Sequence, residues 1–224
     1  MDIQKELIAE YDRELVTTRK MLNAIPDGAD MTWKASPKSM TLGRLAGHVA
    51  ETAGEWARDT LAKDELVFDM AAYKPWAPAS KEELLTKFDK DTAEARVILA
   101  GLDPAKWDES WKMTAGDQVW IDSPRYEVFR TWALNHLIHH RAQLGRDLRT
   151  LGVPIPGCYG PSADEVIVHK TKFGDHPSGG ADALAPVSDH MIACGNLRKC
   201  DSSFPGFIRF STLLTYQKKI AKDF

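Results

Sequence analysis

Residues 128–152, VFRTWALNHLIHHRAQLGRDLRTLG, decide the fold. Val128, Phe129, Trp132, Ala133, Leu137, Leu144, Leu148 and Leu151 recur at helical spacing, so the stretch reads as one amphipathic helix with an inward apolar stripe. Ser123 is placed to cap it, Pro124 suits its first turn and Gly152 its stop. Three of the chain's seven histidines fall inside it, at His136, His139 and His140.

Working outward, the same period finds three more helices. The first runs from Asp2 to about Ile25 on Ile3, Leu7, Tyr11, Leu15, Thr18 and Leu22, and Pro26, Asp27 and Gly28 stop it. Ser39 or Thr41 caps the second, whose stripe of Leu42, Leu45, Val49, Ala53 and Trp56 continues to about Leu61. Ser80 followed by Glu83 forms a capping-box signature for the third, which uses Leu84, Leu85, Phe88, Ala95, Ile98, Leu99 and Leu102 and ends by Gly101 and Pro104.

Between these helices, Asp64 to Ala79 carries Pro75 and Pro78 without a sustained period and reads as a long connection. Trp107, Trp111 and Trp120 flank a Gly116-Asp117 turn, which predicts a short hairpin or an ordered loop packed on the helices. The expected architecture is therefore all-α, a four-helix bundle with one long crossover over residues 1–165. Residues 166–224 have scattered Gly and Pro and weak periodicity. They are expected to form a separate C-terminal extension, with a short helix near Gly206 to Lys222, or to be a sequence fused or frameshifted onto the bundle.

Composition narrows the function classes. The chain has 224 residues, 43% hydrophobic and 27% charged, as a soluble globular protein does. A net charge of -3 argues against a nucleic-acid partner, since phosphate binding needs a clustered excess of Lys and Arg. Arg141, Arg146 and Arg149 read as a solvated helix face rather than a basic patch. The first residues lack the basic and apolar regions of a secretory signal, and no apolar run approaches a membrane span, so a cytoplasmic location without membrane association is expected. Cys158, Cys194 and Cys200 form an odd set without CxxC spacing and are expected as free thiols.

The histidines carry the chemistry. His136 and His140 are four residues apart, which on a helix sets their Cβ atoms about 6 Å apart on one face. That face also holds Phe129, Ala133, Gln143 and Asp147 and looks inward. Two readings stay open from the pair alone: a clamp for one metal ion, or two core histidines bonded to carbonyls or carboxylates. His48, the sole histidine of the second helix, lies beside Leu45, Val49 and Thr52 on the buried stripe and can supply a third ligand. Three nitrogens leave a coordination position for water or substrate, as catalytic sites do.

His139 is offset by about 60° from His136 and should flank the site through packing or hydrogen bonding. Glu51, Glu55 and Asp147 are candidates for supporting or proton-transfer roles, with surface or capping charges as the alternative. His169, His176 and His190 read as exposed. Leu137 stands where a zincin's glutamate would be, so the motif is not HExxH, and the Glu-x-x-His pairs of di-iron bundles are missing. No glycine-rich phosphate loop and no GxSxG elbow is present.

MTLGRLAGHVAE around His48, NHLIHHRAQLGRDLRTLGVPIPG around His136 and His140, and the following YGPSADE together resemble the DinB family, over about Met1 to Glu165. The resemblance implies a four-helix bundle with a long second crossover, often a homodimer. It implies a divalent metal (nickel, zinc or iron) held by one histidine of the second helix and two of the fourth, positions that match His48, His136 and His140. It further implies a metal-dependent enzyme acting on a small molecule, either a hydrolase or a transferase using a low-molecular-weight thiol as cofactor. The other reading is a non-catalytic metal-binding module for stress response or interaction.

Overall fold

Helix α1 (Ile3–Asn23) begins where the Asp2 carboxylate accepts the Lys5 amide hydrogen, and it buries Leu7, Tyr11, Thr18 and Leu22 on one face. Of the two candidate caps for α2 (Leu42–Glu51), Thr41 is the one used, its hydroxyl accepting the Arg44 amide. The rod does not stay α-helical. It passes through a π-helical turn at Thr52–Trp56 before α3 (Ala57–Ala62). Helix α4 (Lys81–Gly101) is capped by Ser80, which accepts the Glu83 amide, while the Glu83 carboxylate accepts the Ala79 amide. The last rod is α5 (Arg125–Val128), a second π-helical stretch at Phe129–Asn135, and α6 (His136–Thr150), closed by Gly152 at φ +75°.

This computed structural model describes residues 2–165. The expected extension, with His169, His176, His190, Cys194, Cys200 and its short helix, lies outside the described residues. Four rods form the bundle, α1 touching α4 and α6 on one side and the α2–α3 rod touching the same two on the other. No described helix is long and apolar enough to cross a membrane.

The all-α expectation needs correction, because a small mixed sheet caps the bundle. Strand β1 (Glu65–Val67) pairs in parallel with β2 (Ser110–Ala115), Leu66 opposite Met113, and β2 pairs antiparallel with β3 (Gln118–Pro124). The hairpin turns at Gly116-Asp117, with Gly116 at φ +55°, where a side chain would be strained. Three residues are too few for alternation to register in a sequence, which is why β1 read as part of a loop. Ser123 likewise does not cap a helix. It sits in β3 opposite Trp111, and the helix starts at Arg125 without a side-chain cap. Strand pairing has overridden a local Ser-Pro start signal.

Two apolar clusters fill the bundle. One gathers Leu45, Ala46, Val49, Leu137, Leu144 and Leu148. The other gathers Tyr11, Ala57, Leu61, Phe129, Ala133 and Leu134. A third, smaller cluster of Trp111, Met113 and Val128 fastens the sheet to the helices. Arg141, expected on a solvated face, is 1% exposed. Its guanidinium reaches Glu14 at 2.6 Å, Thr18 Oγ1 at 3.0 Å and the Tyr159 hydroxyl at 2.8 Å, a set of partners on α1 and the post-helix segment that sequence spacing does not reveal.

Candidate metal centre

His136 falls between Ala133 and Leu134 of one cluster and Leu137 of the other, so the histidine face lies where the two apolar cores meet. Opposite it, α2 presents His48 beside Leu45 and Val49, only 7% exposed. The three rings converge: ring centres are 5.1 Å apart for His48 and His136, 4.5 Å for His48 and His140, and 4.7 Å for His136 and His140. One nitrogen from each lies within 4.8 Å of the others, so the group can hold a metal ion. Bonds of about 2.1 Å in a tetrahedral site space the nitrogens about 3.4 Å apart, a gap that a closing movement of about an ångström supplies.

Two of the three rings have polar partners at Nδ1. His48 Nδ1 is 3.3 Å from Glu51 Oε2 and 3.3 Å from Arg44 Nη2. Arg44 already donates to Glu51 at 2.8 Å, to the Tyr73 hydroxyl at 2.9 Å and to the Trp76 carbonyl at 3.2 Å. The network therefore assigns the His48 Nδ1 hydrogen to Glu51 and leaves Nε2 as the ligand atom. His140 Nδ1 lies 2.7 Å from Gln143 Oε1, and Gln143 Nε2 lies 3.0 Å from His139 Nε2. One amide thus accepts from His140 and donates to His139, fixing the His140 tautomer. The His136 ring packs between those of Trp56 at 5.1 Å and Trp132 at 5.4 Å.

The donor set fits a divalent cation. Burial pushes all three imidazoles from 6.5 to about 3, helped by Arg44 at His48, by His140 at His136 and by His48 at His140. They are neutral at physiological pH, the state in which a nitrogen binds metal. Burial also raises the Glu51 carboxyl, and Arg44 opposes that rise.

Of the three carboxylate candidates, only Glu51 touches a histidine. Glu55 is paired with Lys87 at 3.4 Å. Asp147 is buried and paired with Arg146 at 2.8 Å; seven residues beyond His140, it lies about 10 Å further along the helix. His139 is exposed and flanks the cluster, its ring 4.8 Å from that of His140.

Sequence reading did not single out Arg44, Trp56, Trp132 or Tyr73 as site residues. Arg44 had a signal, since it precedes His48 by four residues and shares its face. In the sequence Trp56 and Trp132 read only as stripe residues. They stack at 4.6 Å with rings 7° from parallel, and Trp56 lies edge-on to His48 at 4.9 Å and to His136 at 5.1 Å. Both come from π-helical turns, which often mark functional sites and which a regular period cannot predict.

Comparison with known proteins agrees with the geometry. The DinB family sequence model matches residues 1–170. The uncharacterized protein YrdA of Bacillus subtilis (strain 168) is 22% identical over 158 residues, which are 70% of this chain and 89% of YrdA. A DinB-like protein from Bacillus cereus ATCC 10987 superposes with a TM-score of 0.52 at 22% identity, covering 66% of this chain and 93% of that one. A second, YjoA from Bacillus subtilis, gives 0.52 at 15% identity, covering 68% and 96%. At these identities the two solved structures speak for the fold alone.

Proposed function

The chain belongs to the DinB family, and from that premise we propose that it is a metal-dependent enzyme whose divalent ion is held by His48, His136 and His140. The observation that carries this reading is the two-sided use of the imidazoles. Two of the rings are anchored by the protein, His48 through Glu51 and His140 through Gln143, while one nitrogen of each of the three lies near a shared centre. A divalent ion there supplies Lewis-acid activation of a water for hydrolysis, or of a low-molecular-weight thiol for attack on an electrophile.

The thiol reading is favoured by family membership and by the neutral donor set, which leaves the ion's double charge available to an anionic partner. This chain's own residues do the positioning. Arg44 keeps Glu51 in place, Glu51 orients His48, and the Gln143 amide orients His140. The stacked Trp56 and Trp132 wall the same centre.

A screen of metal-loaded protein against pairs of low-molecular-weight thiol and electrophile, and against simple esters and amides, tests the reading. Turnover should vanish on chelation and return on adding back the ion. Protein with stoichiometric metal and no turnover across the screen would favour the non-catalytic module.

A further inference from the structure

The aromatic residues near the histidines do not behave as core residues. Trp107 and Trp111 are fully buried, whereas Trp56, Trp132, Phe68, Tyr73 and Trp120 all keep part of their surface open. These five fall into two linked groups, Trp56 with Trp132 and Phe68 with Tyr73 and Trp120. Trp56 abuts His48 and His136 and stacks on Trp132. Trp132 packs into the sheet cluster that also contains Phe68 and Trp120. Phe68 meets Trp120 at 5.6 Å and Tyr73 at 5.0 Å, and its amide is tied to the β2 carbonyl of Thr114 at 2.7 Å. The Tyr73 hydroxyl then accepts from Arg44, whose Nη2 is 3.3 Å from His48. These contacts form an aromatic rim on two sides of the three-histidine centre, Trp56 and Trp132 beside His136 and the Phe68–Tyr73 pair joined to His48 through Arg44.

The charge on this rim is cancelled internally, Arg44 by Glu51 at 2.8 Å. What it presents is half-buried aromatic ring surface, with one phenol that already accepts from Arg44. A strongly hydrated or charged body would lose water there without replacement, whereas a flat apolar one gains burial and stacking. Resting on the metal reading of the three histidines, we propose that the site takes a substrate with a planar apolar body, an aromatic or conjugated ring system. The ring lies against the rim formed by Phe68, Tyr73, Trp120 and Trp132, and its polar reacting group reaches the histidine-held ion.

The full chain loaded with cobalt(II) and titrated with imidazole or 4-phenylimidazole, read at the cobalt visible bands, tests this. Both probes should shift the bands, and the phenyl-bearing one should bind about tenfold tighter or more, as burial of one ring predicts. Phe68→Leu and Trp120→Leu should each cut that advantage to about threefold or less, in line with the loss of ring stacking, while imidazole affinity stays as in the parent. Phe68 lies outside the helices and strands, so its variant remains informative if Trp120→Leu does not fold. Equal affinity of the two probes for the parent protein would overturn the substrate class and leave the metal reading standing. Absence of any cobalt band, or no response to imidazole, would overturn the metal reading and this inference with it.

Discussion

His140 and Arg141 are neighbours in sequence, set about 100° apart around α6, and they face two different polar networks. Around Arg141 the network is closed: Glu14, Thr18 and Tyr159 satisfy the guanidinium, and the Tyr159 hydroxyl lies 3.0 Å and 3.1 Å from the two Glu14 oxygens. Around His140 it is open, because Gln143 takes one ring nitrogen and the other turns to a centre shared with His48 and His136. A closed buried network holds the fold, and an open one is what a ligand completes. Adjacent residues thus divide stability from chemistry.

If that division is right, variants of the two networks should fail in different ways. The largest effect on stability belongs to Arg141→Met, which leaves the Glu14 carboxylate buried without its cation and costs about 3–5 kcal/mol. Thermal unfolding should fall by about 10 °C, while the folded protein at low temperature still binds one equivalent of metal. Loss of metal with unchanged stability would reverse the roles assigned to the two networks.

Gln143→Leu should do the opposite. Removing the amide frees the His140 tautomer, so metal affinity should drop about 10–100-fold by competition against a chelator, with thermal stability of the metal-free protein changed by about 1 kcal/mol or less. An affinity equal to the parent's would remove Gln143 from the site.

A smaller and graded effect is expected from pH. The three imidazoles titrate near 3 when folded and near 6.5 when unfolded, so between those values the unfolded chain binds more protons. Stability of the metal-free protein should be level above about pH 6.5 and decline as pH falls from there toward 3. Denaturant titrations across this window check the slope, which should flatten in His136→Ala. A slope that is the same in that variant would place the pH sensitivity elsewhere.

The same contrast explains what the sequence could reveal. Helical period located all four rods, helped by the caps of α2 and α4, and the i, i+4 spacing of His136 and His140 with the single histidine of α2 located the cluster. Strand β1 escaped because it is three residues long and finds its partner, β2, more than 40 residues away. The π-helical turns escaped because each breaks the period it interrupts, and Trp56 and Trp132 gain their stacking from those turns. Arg141 was misplaced for a related reason: a charge reads as solvated unless its partners, here Glu14 far upstream and Tyr159 beyond the helix, are known to meet it.

The most direct test is metal stoichiometry by elemental analysis of the purified protein beside His48→Ala, His136→Ala and His140→Ala. One ion per chain in the parent, with little or none in each variant, is the result expected of a centre built from three converging neutral imidazoles. A full equivalent of metal retained in all three variants would contradict it.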